Sequence, residues 1–454
     1  MSDTQTAPAS SGASIVRGSL VSLGVRLLDL PSRYGFHLLT AAALGVVQTG
    51  NFYIVFSTMV ALAGFGRLGI DQALTRQIAM DVASSRAGAV RPAIKRALTL
   101  VVLASVAISL VLAAGAAAFA QYGLKKPDLA WPLVLGALAF VPQNVGAALA
   151  GALAGLQRVG LSQMIYSWLW PAIFCVAAIP VVLTGGMTVA HALMLIAASF
   201  AVTALVGAIL LKRALAAVSA GESADGESAR ETPRLLKPGL SLFGLEFTKL
   251  LITSAPAIVL GIVATSRETG LFALAWRLAL VVNLLISGVT GMAAPRFASL
   301  YARRDLAGLQ RSAAQAVGIV LCLALPCTIC MLLFPERLLA LFGAGYGAGA
   351  TALRVLAIGQ LAAACFTAMP ELLGMTAHTS VLYRINFYSV AVLLIGLAVL
   401  APLGGSVGAA AAASLAVAVN GAIAAWAAHR LLGVAPLAAL WAKASARLSR
   451  DTRN

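Results

Sequence analysis

Twelve times between residues 18 and 431 the sequence offers an apolar stretch of about 20 residues, the length an α-helix needs to cross the hydrocarbon layer of a bilayer. The stretches lie near 18–44, 50–71, 96–120, 130–154, 160–184, 188–211, 239–264, 270–293, 312–334, 348–373, 381–402 and 406–431. Inside hydrocarbon every backbone N–H and C=O has to be satisfied within the protein, which a helix does by itself. No segment reads as a credible strand. The expected fold is all-α: a polytopic membrane protein with about 12 transmembrane helices. Composition excludes a soluble chain with a very apolar core, because 61% of the residues are hydrophobic and 10% charged, where a soluble protein carries roughly a quarter charged.

A net charge of +17 fits either a nucleic-acid partner or the cytoplasmic loops of a membrane protein, and placement separates the two. With the N-terminus inside, one set of loops carries Arg76, Arg86, Arg91, Lys95, Arg158, Lys212, Arg213, Arg296, Arg303 and Arg304 among others, and the tail adds Arg430, Lys443, Arg447, Arg450 and Arg453. The opposite loops hold Lys125, Lys126, Arg267 and Arg337. This asymmetry predicts a multi-pass protein with both termini cytoplasmic, and removes nucleic acid as a partner. The polar start "MSDTQTAPASSGAS" has no basic region, apolar core and cleavage site in succession, so it reads as a short tail rather than a removable signal. The five cysteines, Cys175, Cys322, Cys327, Cys330 and Cys365, lie in apolar segments and read as small buried hydrophobes rather than metal ligands or redox groups.

Residues 214–236, rich in Ser, Glu, Gly and Ala, separate the sixth span from the seventh. The expected organisation is an N-terminal tail (1–17), a six-helix lobe (18–213), a cytoplasmic linker (214–236), a second six-helix lobe (237–432) and a basic cytoplasmic tail (433–454). Internal similarity supports the division. Gly24 aligns with Gly244, "TGNF" at 49–52 with "TGLF" at 269–272, and Arg76 with Arg296, all at an offset of 220. Gly155 aligns with Gly374, and Gly185-Gly186 with Gly404-Gly405, at 219. An even number of spans per half keeps the halves in one orientation, with a pseudo-two-fold along the membrane normal.

Four ionisable residues interrupt the first span in "VRLLDLPSRYGFHLL". At 100° per residue, Arg26, Asp29, Arg33 and His37 fall within an arc of about 80° and form one polar face. In the second half the matching positions hold Glu246 and Lys249, with the charges reversed. Each charge at the bilayer centre costs on the order of 2.5–3.5 kcal/mol on insertion scales, so the stripe is expected to line water or a partner helix. Two readings stay open. Acid and base pair between the lobes as a gate, or Arg26–Asp29 and Glu246–Lys249 pair within their own helices; Arg33 and His37 have no obvious local acid. Further polar residues within spans are Arg277, Asn283, Gln360, Thr367 and Glu371, and Tyr53 and Trp276 offer aromatic faces for sugars. No GxxxxGK[ST] or HExxH motif occurs, so no catalytic residue, cofactor or metal is expected.

The stretches "TGLFALAWRLALVVNLL", "APRFASLYARRD", "LALFGAGYGAGATALRVLAIGQL" and "PELLGMTAH" resemble the polysaccharide-export, O-antigen-type branch of the multidrug/oligosaccharidyl-lipid/polysaccharide (MOP) flippase superfamily. "RGSLVSLGVRLL" and "GRLGIDQALTRQIA" match its first-half segments, so the resemblance covers nearly the whole chain. It implies a V-shaped, two-lobed bundle in the bacterial inner membrane. Such a bundle moves undecaprenyl-pyrophosphate-linked oligosaccharide to the periplasmic leaflet by alternating access. It also implies a basic central cavity, whose matching positions here are Arg26, Arg33, Lys249 and Arg277. Asp29, His37, Glu246 and Glu371 then become candidates for gating or ion coupling, and Tyr53, Trp276, Asn283 and Gln360 for sugar contacts. Expected partners are the lipid-linked substrate, membrane lipids, and a polysaccharide polymerase with other glycan-assembly proteins. The rival readings are a cation-coupled multidrug antiporter of the same superfamily and a non-transport scaffold of a glycan-synthesis complex.

Overall fold

The structure, a computed structural model, describes residues 11–84, 86–219, 236–376 and 378–438; side chains at 11–28, 87, 217–219, 236–238, 241, 242, 245, 249 and 379 are outside that description. The expected tail 1–17, linker 214–236 and tail 433–454 therefore lie largely outside the described residues. Where they are described, helix extends into them, from Ser11 at one end and to Ser219 at the other.

The described chain is helical throughout, with no strand among the described residues. The helices are α1 (Ser11–Arg67), α2 (Ile70–Ala83), α3 (Ala87–Ala118), α4 (Ala130–Ala137), α5 (Phe140–Gly155), α6 (Val159–Gln163), α7 (Leu169–Leu183) and α8 (Val189–Ser219). The second half holds α9 (Leu236–Val263), α10 (Ser266–Ala302), α11 (Leu306–Leu333), α12 (Pro335–Ala340), α13 (Ala350–Phe366), α14 (Ala368–Met375) and α15 (Thr379–Leu432). Ten segments among the described residues are long and apolar enough to cross a membrane. Two of them, Asp29–Arg67 and Ser380–Leu432, are each divided by a non-helical glycine, Gly45 (φ 70°, ψ 171°) and Gly405 (φ 54°, ψ −128°). Counted that way, every one of the twelve expected spans has its helix. Only glycine adopts these left-handed conformations without strain, and both lie where the sequence passes from one apolar run to the next.

Two compact units emerge, Met1–Leu44 with Thr58–Phe247, and Gly45–Ser57 with Thr248–Asn454. The first turns of the second span thus group with the second unit. In the first unit, α2 was not foreseen as a separate helix: Ile70, Leu74 and Ile78, four residues apart, turn inward to meet Ile94 and Val101 of α3 and Leu149 and Leu153 of α5. Gly151 and Gly155, spaced as a small-xxx-small pair, lie where α5 meets α2. A Cβ on Gly155 would stand 2.7 Å from that of Ile78, and the Thr75 hydroxyl donates to the Gly151 carbonyl at 2.9 Å.

In the second unit the repeated Thr-Gly pairs meet each other. A side chain on Gly50 would collide with the Ser266 carbonyl, and one on Gly270 with the Val46 carbonyl, so only glycine permits this backbone approach. The Thr265 side chain caps α10 by accepting from the Glu268 N–H, and the Glu268 carboxylate accepts from the Ser406 N–H at 2.8 Å, capping the helix that restarts after Gly405.

The repeat extends to backbone detail. Lys125 and Gly345, 220 apart, are both left-handed. The 3₁₀ turns Pro127–Leu129 and Tyr346–Gly349 follow them, and α4 and α13 begin at Ala130 and Ala350, again 220 apart. Gly185 and Gly405 are left-handed at the same interval, which extends the 220 spacing through a region aligned at 219 on sequence alone.

Candidate functional site

In the first unit, Asp29 and Arg33 lie one turn apart on α1, and Arg33 Nε donates to Asp29 Oδ1 at 3.1 Å. The expectation that Arg33 lacks a local acid is corrected: the i, i+4 spacing brings Asp29 directly to it. Ser167 closes the group, accepting from Arg33 Nη2 at 3.0 Å and donating to Asp29 Oδ1 at 2.6 Å. The bonds occupy Nε and Nη2, and the Arg33 side chain stays 51% exposed, so part of its fork remains open to a further acceptor.

Ser167 belongs to a single π-helical turn, Met164–Trp168, between α6 and α7. One extra residue per turn changes which side chains face inward, and such bulges recur at functional sites. Here the neighbours Tyr166 and Ser167 reach two different arginines. Tyr166 is hydrogen-bonded to Arg67 at the end of α1, and Arg67 is also within electrostatic reach of Asp71 and Glu246. His37 is buried, its ring 4.8 Å from that of Phe36, which packs edge-on against Trp170 and Phe174. The side chains of Arg26 and Lys249 lie outside the described residues, so the proposed pairing of Arg26 and Asp29 with Glu246 and Lys249 does too.

In the second unit, the Arg277 guanidinium of α10 sits 5.6 Å over the ring of Tyr53 and donates a hydrogen bond to its side chain. Tyr53 is 1% exposed and packed edge-on against Phe52. A sugar stacking on Tyr53 would therefore require Arg277 to move. Close by in sequence, the Tyr346 hydroxyl donates to Thr49 Oγ1 at 2.8 Å.

Most of the remaining polar intrusions line a cavity of about 310 Å³ within the second unit. Trp276 and Asn283 of α10, Thr367, Glu371 of α14, and Asn386 and Asn420 of α15 line it. Asn420 Nδ2 donates to Asn386 Oδ1 at 3.1 Å and to Ser389 Oγ at 2.8 Å, tying together the two stretches of α15 on either side of Gly405. Trp276 Nε1 and Thr367 Oγ1 are buried without a hydrogen-bond partner in the protein. Gln360 is buried on α13 with its Oε1 also unpartnered, but does not line the cavity. All five cysteines are free thiols, and no group of three or more His, Cys, Asp or Glu side chains placed to hold a metal occurs among the described residues.

The structure thus collects Asp29 with Arg33, Tyr53 with Arg277, and Trp276, Asn283 and Glu371 around one cavity. Reading the sequence missed Arg67, Tyr166, Ser167, Asn386 and Asn420. The asparagines carried a signal, being amides inside apolar spans. Tyr166 and Ser167 carried none, since a π turn has no periodicity of its own in the sequence.

Residues 15–301 match the sequence profile described as polysaccharide biosynthesis protein. No curated protein sequence matches the chain. Among solved structures, it is similar to an inward-facing multidrug-resistance MATE family transporter of the MOP superfamily, at 14% identity and a TM-score of 0.72, over 91% of this chain and 98% of that one. It is similar to the lipid II flippase MurJ in an inward closed conformation at 11% identity and a TM-score of 0.69, covering 91% and 87%. A MOP superfamily transporter from Pyrococcus furiosus matches at 17% identity and 0.56, covering 92% and 93%. At these identities the likeness is one of fold.

Proposed function

The chain belongs to the polysaccharide biosynthesis protein family and has the fold of MOP superfamily transporters, and from that premise we propose that it is a flippase for lipid-linked oligosaccharide. Its substrate is an undecaprenyl-pyrophosphate-linked repeat unit, carried from the cytoplasmic to the periplasmic leaflet of a bacterial inner membrane by alternating access. Translocation breaks no bond, so the protein has to supply cations for the diphosphate, polar groups for the sugars and a path for the lipid tail.

The observation that carries the reading is the Asp29–Arg33–Ser167 group. An arginine placed in a membrane span, held by an acid and a hydroxyl yet half exposed, is a diphosphate ligand with a built-in counter-ion. In the empty protein Asp29 neutralises Arg33, which lowers the cost of keeping that charge in the bilayer. A diphosphate displaces Asp29, because it offers more acceptor oxygens to the planar fork. Arg277, poised over Tyr53, acts likewise in the second unit, and Arg26 and Lys249 complete the cationic set. Asp29, His37, Glu246 and Glu371 then respond to the change of partner as gating or coupling groups. A headgroup of about two negative charges gains roughly 2.3 kcal/mol per charge per 100 mV on leaving a negative cytoplasm, which is enough to drive export.

One observation favours a second reading, a cation-coupled antiporter. Glu371 lines a cavity in the second unit beside the oxygens of Asn283, Thr290 and Thr367.

The test is the accumulation of unflipped oligosaccharide-lipid on the cytoplasmic face of cells carrying Arg33→Ala or Arg277→Ala. Flipping should fall at least ten-fold with normal protein abundance, and lysine at either position should restore it only in part. Normal flipping in both alanine variants overturns the cationic mechanism. Loss in Glu371→Gln alone, with a drug-efflux phenotype, favours the antiporter.

A further inference from the structure

On the first unit a groove lies apart from the Arg33 group. α3 and α8 both pack along α5 and barely touch each other, which leaves a trough between them. Its volume is about 370 Å³. Leu149 of α5, which is buried, lies at its floor, and Leu98 of α3 and Leu211 and Leu215 of α8 form its apolar walls. Gly207 lets α8 close on Leu149 and Ile165, since a Cβ there would already stand 3.3–3.4 Å from them, and the adjacent Ala208 keeps the trough open. The remaining lining residues are Arg91 and Lys212, one from each wall, and among the described residues no acidic side chain lines the groove.

The surroundings show what the groove faces. By helical turns along the exposed side of α3, Arg91, Lys95, Thr99, Leu103, Val106 and Leu110 pass from charged through polar to apolar. On α8 the exposed side runs in the opposite sense, from Leu205 through Ala208 to Lys212. Both helices are long and apolar enough to cross a membrane. Each wall therefore goes from hydrocarbon to headgroup chemistry, and the two basic ends converge on one trough.

We infer that this groove binds an anionic phospholipid of the phosphatidylglycerol class, with an acyl chain against Leu98, Leu149 and Leu211 and the headgroup phosphate on Arg91 and Lys212. Basic pockets between membrane helices select anionic headgroups, and each base contributes about a fivefold preference. A protein partner fits less well, because the exposed residues that continue the groove, Leu103, Leu205 and Ile209, are those of a lipid-facing surface. The site does not depend on which substrate the protein transports.

The experiment uses full-length, delipidated protein in detergent, with lipid retention read by native mass spectrometry and by thermal unfolding. Wild-type protein should retain phosphatidylglycerol over phosphatidylcholine by on the order of twenty-fold, and phosphatidylglycerol should raise its unfolding temperature. The Arg91→Gln/Lys212→Gln variant should lose the preference while unfolding at the wild-type temperature without lipid. Ala208→Phe, which fills the trough and keeps both bases, should lose retention of either lipid, and provides the reading if the double variant does not fold. Equal retention of the two lipids by wild-type protein overturns the proposal, as does undiminished phosphatidylglycerol retention by both variants. Displacement of phosphatidylglycerol by equimolar undecaprenyl diphosphate also overturns it, and reassigns the groove to the transported lipid.

Discussion

The helix carrying Tyr166 and Ser167 and the stretch of α15 around Asn386 occupy corresponding places in the repeat, yet they are built differently. The first contains a π turn that directs a phenol and a hydroxyl to two arginines of α1. The second continues as plain α-helix, and its polar side chain, Asn386, bonds to Asn420 of the same long element. One result is a charged group with its bonds made and half its arginine exposed. The other is a neutral amide pair beside a cavity that holds Glu371 and unpartnered polar atoms. Where the halves must do the same thing, at the Thr-Gly contact, the 3₁₀ turns and the left-handed glycines, the backbone matches. Where they differ in chemistry, one extra residue in a helical turn makes the difference.

The comparison breaks most visibly at the glycines. Gly50→Val and Gly270→Val should each cost at least the upper end of the ~1–3 kcal/mol of overpacking, because the obstacle is rigid backbone. Equal losses of folded, monodisperse protein would show that the contact treats both halves alike, whereas tolerance of one alone would show that it does not. Next come the left-handed turns. Gly185→Ala should cost about 1 kcal/mol from backbone conformation alone, since nothing lies within 4 Å of the added carbon. Gly405→Ala should cost about twice as much, because its Cβ would stand 2.7 Å from Glu268 Oε2, which caps the next helix. Thermal unfolding of the pair gives the difference directly.

Ser167→Ala and Asn420→Ala remove the bridging side chain of each polar group. Hydrogen bonds between membrane helices average roughly 0.6 kcal/mol and reach about 1.7, so both variants should stay folded. Only Ser167→Ala should impair translocation several-fold, by freeing the Arg33 fork; equal functional loss would mean that the amide pair also takes part. The smallest effect is expected at Thr367→Val. Its hydroxyl makes no bond, so removal should change stability by less than about 0.5 kcal/mol or raise it. A larger loss would reveal a water or ion bound to that hydroxyl in the cavity of the second unit.

Much of the fold was legible because its cause is local. A run of about 20 apolar residues has one stable form in hydrocarbon, so each of the twelve spans could be placed on its helix, although α1, α3, α8, α10 and α11 run six to nine residues beyond the apolar stretch at one end. The repeat was visible at residues with an irreplaceable backbone role, such as Gly50, Gly270 and Gly405. Of the candidate site, the polar face of α1 and the residues Trp276, Asn283 and Glu371 could be named from charge or polarity inside a span, since polar atoms there need a reason. Their partners could not. Asp29 could be read as pairing with Arg26 in its own helix or across the lobes, and its described partners are Arg33 and Ser167.

The sequence by itself determined that the chain is a helical membrane protein of twelve spans in two related halves, because span length and backbone satisfaction are properties of each segment alone. Only the tertiary structure decided that 45–57 groups with the second unit, that residues 164–168 wind as a π turn, and that α3 and α8 leave a basic-rimmed groove over α5. Each depends on contacts between segments far apart in the chain. The difference of a few kcal/mol that settles them arises from packing and hydrogen-bond partners which no single segment contains.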